Sequence, residues 1–322
     1  MSKFDFNEIN KAYTLISSYL IKTPLVSSDY INKFTGAKLY FKLENFQLTG
    51  SFKFRGATHK ISKLSDLEKK RGIIAYSSGN HAQAVAYAAM QRNINAKIVM
   101  PATAPKIKID NTKKYGAEII LYNPLKETRE KLAEEIALKE NRKIIKPYDD
   151  FDIIAGQGTA AKEIVDDLNQ FKIIPDLYIC CCGGGGLTAG TTTYLKSIYP
   201  NISAFCVEPE DFDDTKKSLE TGKRKRNLEN SRSICDALLA PEPGELTFEI
   251  NKNLLDGGIT VSDEEVKSAI IFLAEHLKII SEPGGAVAAA ATINKKIDIK
   301  NKNVIVMISG GNIDADVFKG LR

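Results

Sequence analysis

Residues 43–57 read L-E-N-F-Q-L-T-G-S-F-K-F-R-G-A. Lys53 stands between Phe52 and Phe54, behind a Thr49-Gly50 turn, with Arg55 and Gly56 directly after it. Apolar neighbours disfavour the ammonium form, and a neutral amine is what a lysine needs to condense with a carbonyl. The same residues would also suit a helix lysine running its stem past two core phenylalanines. Residues 182–190, C-G-G-G-G-L-T-A-G, bear on that choice. They follow the apolar run 176–182 and precede a helical-looking 187–198. Glycines between a strand and a helix let backbone N–H groups close on an anion at the helix N-terminus, where the dipole is favourable. The run is neither G-x-G-x-x-G nor a Walker loop, since no G-K-[S/T] follows. A carbonyl-binding lysine and a phosphate cup in one chain point to an aldehyde that carries a phosphate.

Outward from these two stretches the pattern is a regular βα alternation. Strand-like 73–76 leads to helix-like 79–90, 96–100 to 106–115, and 117–122 to 125–139. The alternation resumes with helix 157–169, strand 177–182, helix 187–198 and strand 202–207. Ser262-Asp263-Glu264-Glu265 is a capping box opening a helix to about 277; an Ala-rich helix over 283–294 and a buried strand over 303–309 follow. Such alternation predicts parallel sheets wrapped by helices, with ligands at the carboxyl ends of the strands, where the motif loops are expected to fall.

Composition sets bounds. The 322 residues are 43% hydrophobic and 26% charged, with a formal net charge of +5. No apolar run approaches the ~18 residues of a membrane span, and M-S-K-F-D-F-N-E lacks a signal-peptide core. Lys223-Arg224-Lys225-Arg226 reads as a solvated loop, so neither a membrane nor a nucleic acid is an expected partner. The five cysteines have no zinc spacing and read as buried apolar residues in a reducing compartment, by default the cytoplasm.

Five motifs together resemble one known family. T-G-S-F-K-F-R-G-A (49–57), S-S-G-N-H-A-Q (77–83), A-G-Q-G-T (155–159), G-G-G-G-L (183–187) and S-G-G-N (309–312) span nearly the whole chain. In this order they are similar to the fold-type II pyridoxal-phosphate (PLP) enzymes, in the threonine dehydratase and serine racemase group. The resemblance implies an α/β, tryptophan synthase β-like fold of two lobes, each with a mostly parallel sheet wrapped by helices. The large lobe would come from residues 1–71 and 150–322 and the small one from 72–149. A homodimer is the family's expectation.

The resemblance also implies roles. Lys53 would hold PLP as a Schiff base and then take the substrate Cα proton, with Phe52 packed on the ring. Gly183, Gly184, Gly185, Gly186 and Leu187 would receive the phosphate, Asn80 the 3-oxygen, and Ser309 the pyridine nitrogen. A neutral hydroxyl at that nitrogen favours loss of a β-substituent over a long-lived carbanion. Ser77, Ser78, Asn80 and His81 would receive the substrate carboxylate. Many threonine dehydratases carry alanine where Ser78 stands, whereas serine racemases and 3-hydroxyaspartate dehydratases carry serine; a hydroxyl opposite Lys53 permits racemisation. Arg129 resembles an arginine of that branch and could take a second substrate carboxylate; a surface ion pair is its alternative. Glu208, the Phe212 carbonyl and Asp214 would bind Mg²⁺, Ca²⁺ or Mn²⁺. Cys235-Asp236-Ala237 departs from the Ala-Asp-Gly of many relatives, which puts the shape of loop 238–244 in doubt.

The reading is therefore a PLP-dependent ammonia-lyase acting on β-hydroxy amino acids (serine, threonine or threo-3-hydroxyaspartate), with serine racemisation permitted. A plain threonine/serine dehydratase is the alternative, and a non-catalytic PLP carrier on the same fold is the rival from another class.

Overall fold

The computed structural model describes residues 4–77, 79–104 and 106–321. Strands β1 (Leu25–Val26), β2 (Lys38–Leu43), β7 (Leu177–Cys181), β8 (Ser203–Pro209), β9 (Gly257–Val261) and β10 (Asn303–Ile308) make one sheet. Its order is β1-β2-β10-β7-β8-β9, parallel throughout except for β1 against β2. Strands β3 (Ile73–Tyr76), β4 (Ala96–Pro101), β5 (Glu118–Tyr122) and β6 (Lys143–Ile145) make a second sheet, all parallel, in the order β5-β4-β3-β6.

The central strands are covered on both faces, so they read as continuous apolar runs rather than alternating ones. All of β7 and all of β10 but Asn303 is buried. The Ala-rich helix Pro283–Ile293 is buried along its whole length and packs on β7 and β10; its small side chains let a helix lie in the interior.

Five elements differ from the sequence expectation. The helix expected over 157–169 runs Phe151–Gln170, because the Asp150 carboxylate caps it by accepting the N–H groups of Asp152 and Ile153. A-G-Q-G-T is therefore not a loop at a strand end but the interior of this helix. Its glycines serve packing: a Cβ on Gly156 would lie 2.6 Å from Gly56 Cα, and one on Gly158 would lie 2.9 Å from the Gly190 carbonyl oxygen. The helix expected over 125–139 begins only at Arg129, after an extended Thr128. Strands β6 and β9 and the helix Glu245–Leu254 carry too weak a pattern to be read; β9 opens with Gly257-Gly258.

Candidate active site

Lys53 opens the helix Lys53–Ser62 two residues after Ser51, which bridges to Gly310 beyond β10. The Phe52 N–H donates to the Ser309 carbonyl over 3.1 Å, so the lysine motif is tied to the end of β10. The Lys53 ammonium donates to the Pro147 carbonyl over 2.8 Å and lies 5.1 Å from the centre of the Phe52 ring. Burial draws its amine down to about 8. One cavity brings Lys53 and Phe52 together with Ser77, Asn80, His81 and Arg129. Gly183, Gly184, Gly185, Gly186, Leu187 and Ser309 line the same cavity. It lies at the carboxyl ends of β2, β3, β7 and β10, where parallel sheets present their loops. Ser78 lies outside the described residues.

The glycine loop is shaped as an anion cup. Gly185 has φ +88°, and Gly186 starts the helix Gly186–Ile198, whose first N–H groups have no intrahelical acceptor. The loop carbonyls are turned away: Gly184 O accepts from the Thr247 hydroxyl at 2.7 Å and Gly185 O from the Asn251 amide at 3.3 Å. Side chains are excluded, since a Cβ on Gly184 would overlap the Tyr148 ring at 2.4 Å. A phosphate fits this donor set: free N–H groups at a helix N-terminus, with no side chain to obstruct them.

Asn312 stitches three of the sequence motifs together. Its amide donates to the Thr49 carbonyl and to Asn80 Oδ1, both over 2.8 Å. Gly50, at φ +75°, must be glycine twice over, because a Cβ there would also meet Asn312 Oδ1 at 2.4 Å. Asn80 Nδ2 in turn donates to the buried Glu282 carboxylate, which burial pushes up to about 7. His81 Nε2 sits 3.0 Å from the Ile145 carbonyl and donates to it. Burial pulls His81 down to about 3, so the ring is neutral, and its Nδ1 has no partner among the described residues.

Several lining residues carry no motif and were invisible in the sequence. Lys108 reaches into the cavity wall from the helix Lys106–Lys114 and pairs with Asp236. Tyr148 and Cys181 line it too. Tyr76 could have been found, since it directly precedes S-S-G-N-H. Ala237 lies in the short 3-10 turn Asp236–Leu238 and does not take a positive φ, so this turn does not require the glycine of the relatives.

A second polar centre lies at the end of β8. The Glu208 carboxylate is fully buried and accepts the N–H groups of Thr215 (3.0 Å) and Lys216 (2.8 Å). Asp214 is also fully buried; Oδ1 accepts from Asn227 at 2.6 Å and Oδ2 has no partner. Burial pushes Glu208 well above the usual carboxylate range, with Cys182 and Asp214 adding to it, and burial pushes Asp214 up to about 7. Two interior acids with no counter-charge among the described residues fit a divalent cation. The described residues contain no group of three acidic, histidine or cysteine side chains around a common point, so backbone carbonyls and water would complete its shell.

Comparison with known proteins shows the family. The family model described as "Pyridoxal-phosphate dependent enzyme" matches residues 16–310. The chain is 40% identical to L-threo-3-hydroxyaspartate ammonia-lyase of Saccharomyces cerevisiae, over 96% of this chain and 93% of that one. It is 42% identical to the catabolic L-threonine dehydratase of Staphylococcus aureus, over 98% of this chain and 90% of that one. Among solved structures it is similar to maize serine racemase, with a TM-score of 0.92 at 36% identity, covering 98% of this chain and 96% of that one.

Proposed function

Because this chain belongs to the pyridoxal-phosphate-dependent enzymes, we propose that it converts β-hydroxy amino acids to 2-oxo acids and ammonia, with serine racemisation as a second capacity. The observation that carries this reading is one cavity lined by a lysine drawn down to about 8, a glycine cup and Ser309. PLP, when bound, supplies the electron-withdrawing ring that acidifies the substrate Cα–H. Lys53 would hold it and would serve as the base that takes the Cα proton, the β-hydroxyl leaving with a proton as water. Gly183–Leu187 would hold the phosphate through backbone N–H groups, Phe52 would pack on the ring, the Ser309 hydroxyl would face the ring nitrogen without imposing a charge on it, and Asn80 would bind the 3-oxygen. Ser77, Asn80 and His81 receive the α-carboxylate, and Arg129 a second carboxylate where the substrate has one. Ser78 would return a proton in racemisation.

A divalent cation (Mg²⁺, Ca²⁺ or Mn²⁺) at Glu208, the Phe212 carbonyl and Asp214 is supported by the two counter-charge-free carboxyls. The proposal further includes a large lobe of residues 1–71 and 150–322, a small lobe of 72–149, a homodimer, and work in the reducing cytoplasm. Two separate sheets and five free buried cysteines are in keeping with it. An alanine and an isoleucine of the lysine helix (Ala57, Ile61) share a core with the small sheet, in keeping with lobes that meet along that helix.

The test is an absorbance spectrum of purified protein with 2-oxo acid assays on L-serine, D-serine, L-threonine and threo-3-hydroxyaspartate. A Schiff-base band and turnover are expected, both lost in Lys53→Ala. Turnover retained in that variant would overturn the mechanism. Threonine turned over fastest would make this a plain dehydratase, the reading that the Staphylococcus relative favours.

A further inference from the structure

Arg129 is the first residue of the helix Arg129–Glu140, and Tyr76 is the last of β3, directly before Ser77. The two meet on the cavity wall, with the guanidinium carbon 5.8 Å from the centre of the Tyr76 ring. Arg129 Nε donates to Glu130 over 2.7 Å. Its two terminal NH₂ groups make no hydrogen bond within the described residues. Glu130 is about half exposed, at 47%, and a pair with so exposed a carboxylate constrains a side chain weakly. The aromatic face is then a second restraint on where the guanidinium sits.

Charges elsewhere on the wall are committed. Lys108 is paired with Asp236, and Lys53 donates to Pro147 and is assigned to the cofactor. Arg129 thus keeps donors without a partner among the described residues and has no other assignment. Because Tyr76 directly precedes Ser77, which is assigned to the α-carboxylate, the end of β3 bears on both anion positions. A shift of the guanidinium would change the span between them, and a short dicarboxylate is sensitive to that span while a monocarboxylate is not.

We propose that Tyr76 is a specificity-determining residue: its ring positions Arg129 to receive the second carboxylate of a short dicarboxylic β-hydroxy amino acid. This rests on the function proposed above, in which Arg129 faces the substrate. Arg129 makes the contact, and Tyr76 acts through it.

The experiment measures kcat/KM for threo-3-hydroxyaspartate and for L-serine in the wild type, Tyr76→Phe, Tyr76→Leu, Arg129→Met and the Tyr76→Leu/Arg129→Met double variant. The quantity read is the ratio of the two. Tyr76→Leu should lower it about tenfold, mainly through KM for the dicarboxylate, the size of one shielded cation–π contact. Tyr76→Phe, which keeps the ring, should hold the ratio near the wild-type value. In the Arg129→Met background Tyr76→Leu should change it no further, since the partner is gone. The rise in melting temperature given by the unreactive dicarboxylate succinate should shrink in Tyr76→Leu and persist in Tyr76→Phe. A ratio lowered by Arg129→Met but untouched by Tyr76→Leu would overturn the role of Tyr76 and leave the function standing. A ratio untouched by Arg129→Met would overturn the second-carboxylate reading itself, and this inference with it.

Discussion

Lys53 is the residue on which the chemistry turns, and its environment makes a quantitative statement. An ammonium has no lone pair, so only the neutral amine can condense with an aldehyde. The cofactor-free protein should therefore take up PLP faster as pH rises, levelling off above about 8, because burial draws Lys53 to that value. The rate of growth of the Schiff-base band against pH is the measurement. A midpoint near the ordinary 10.5 would mean that the amine is solvated before the cofactor arrives. At this scale the sequence was legible: a lysine flanked by two phenylalanines and a run of glycines state their chemistry within a few residues. The neighbours Tyr148 and Lys108 were not, because nothing adjacent to them in sequence marks them out.

The helix that presents Lys53 is held by a buried ionic cluster. Arg55 gives Nε and Nη2 to Glu44 (2.7 and 2.8 Å) and Nη1 and Nη2 to Glu163 (2.8 and 2.7 Å). Lys42 donates to the same Glu163 over 2.7 Å and to the Thr23 carbonyl over 2.8 Å. All four charged side chains are at most 1% exposed, two of each sign, and they join β2, the lysine helix and the Phe151–Gln170 helix. Removing one partner leaves an uncompensated interior charge. Arg55→Met should cost about 3–5 kcal/mol of stability in denaturant unfolding. Arg55→Lys should recover only part of it, since one ammonium cannot serve two carboxylates bidentately. A loss under about 1 kcal/mol would mean that the cluster is hydrated rather than sealed. Glu44 and Arg55 lie within the opening motif, yet their pairing could not be read there. Glu163 comes from a distant helix, and a one-dimensional pattern does not say which helix faces which. A-G-Q-G-T shows the same limit: as a motif it suggested a loop, whereas its glycines act by letting helices approach at backbone distance.

Across the whole molecule, the cavity exists because two sheets direct their strand ends toward one space, and the acidic centre at β8 stands apart from it. Glu208 and Asp214 bury two acids without a counter-charge, so a cation that binds there stabilises the folded state alone. Adding Mg²⁺ should raise the melting temperature by roughly 2 °C or more, the scale of a kcal/mol in a protein of this size. Glu208→Gln should abolish that increment. An equal increment in the variant would place the cation elsewhere.

The sequence by itself determined the βα order, the lysine, the glycine cup and hence the cofactor chemistry, because each depends on residues close together along the chain. Only the tertiary structure decided that Arg129 lines the cavity against Tyr76, that Lys108 pairs with Asp236, and that Arg55 is sealed between two glutamates. Those contacts depend on strand order and helix packing. Both are settled by burying apolar faces across the whole fold, which no local stretch of sequence encodes.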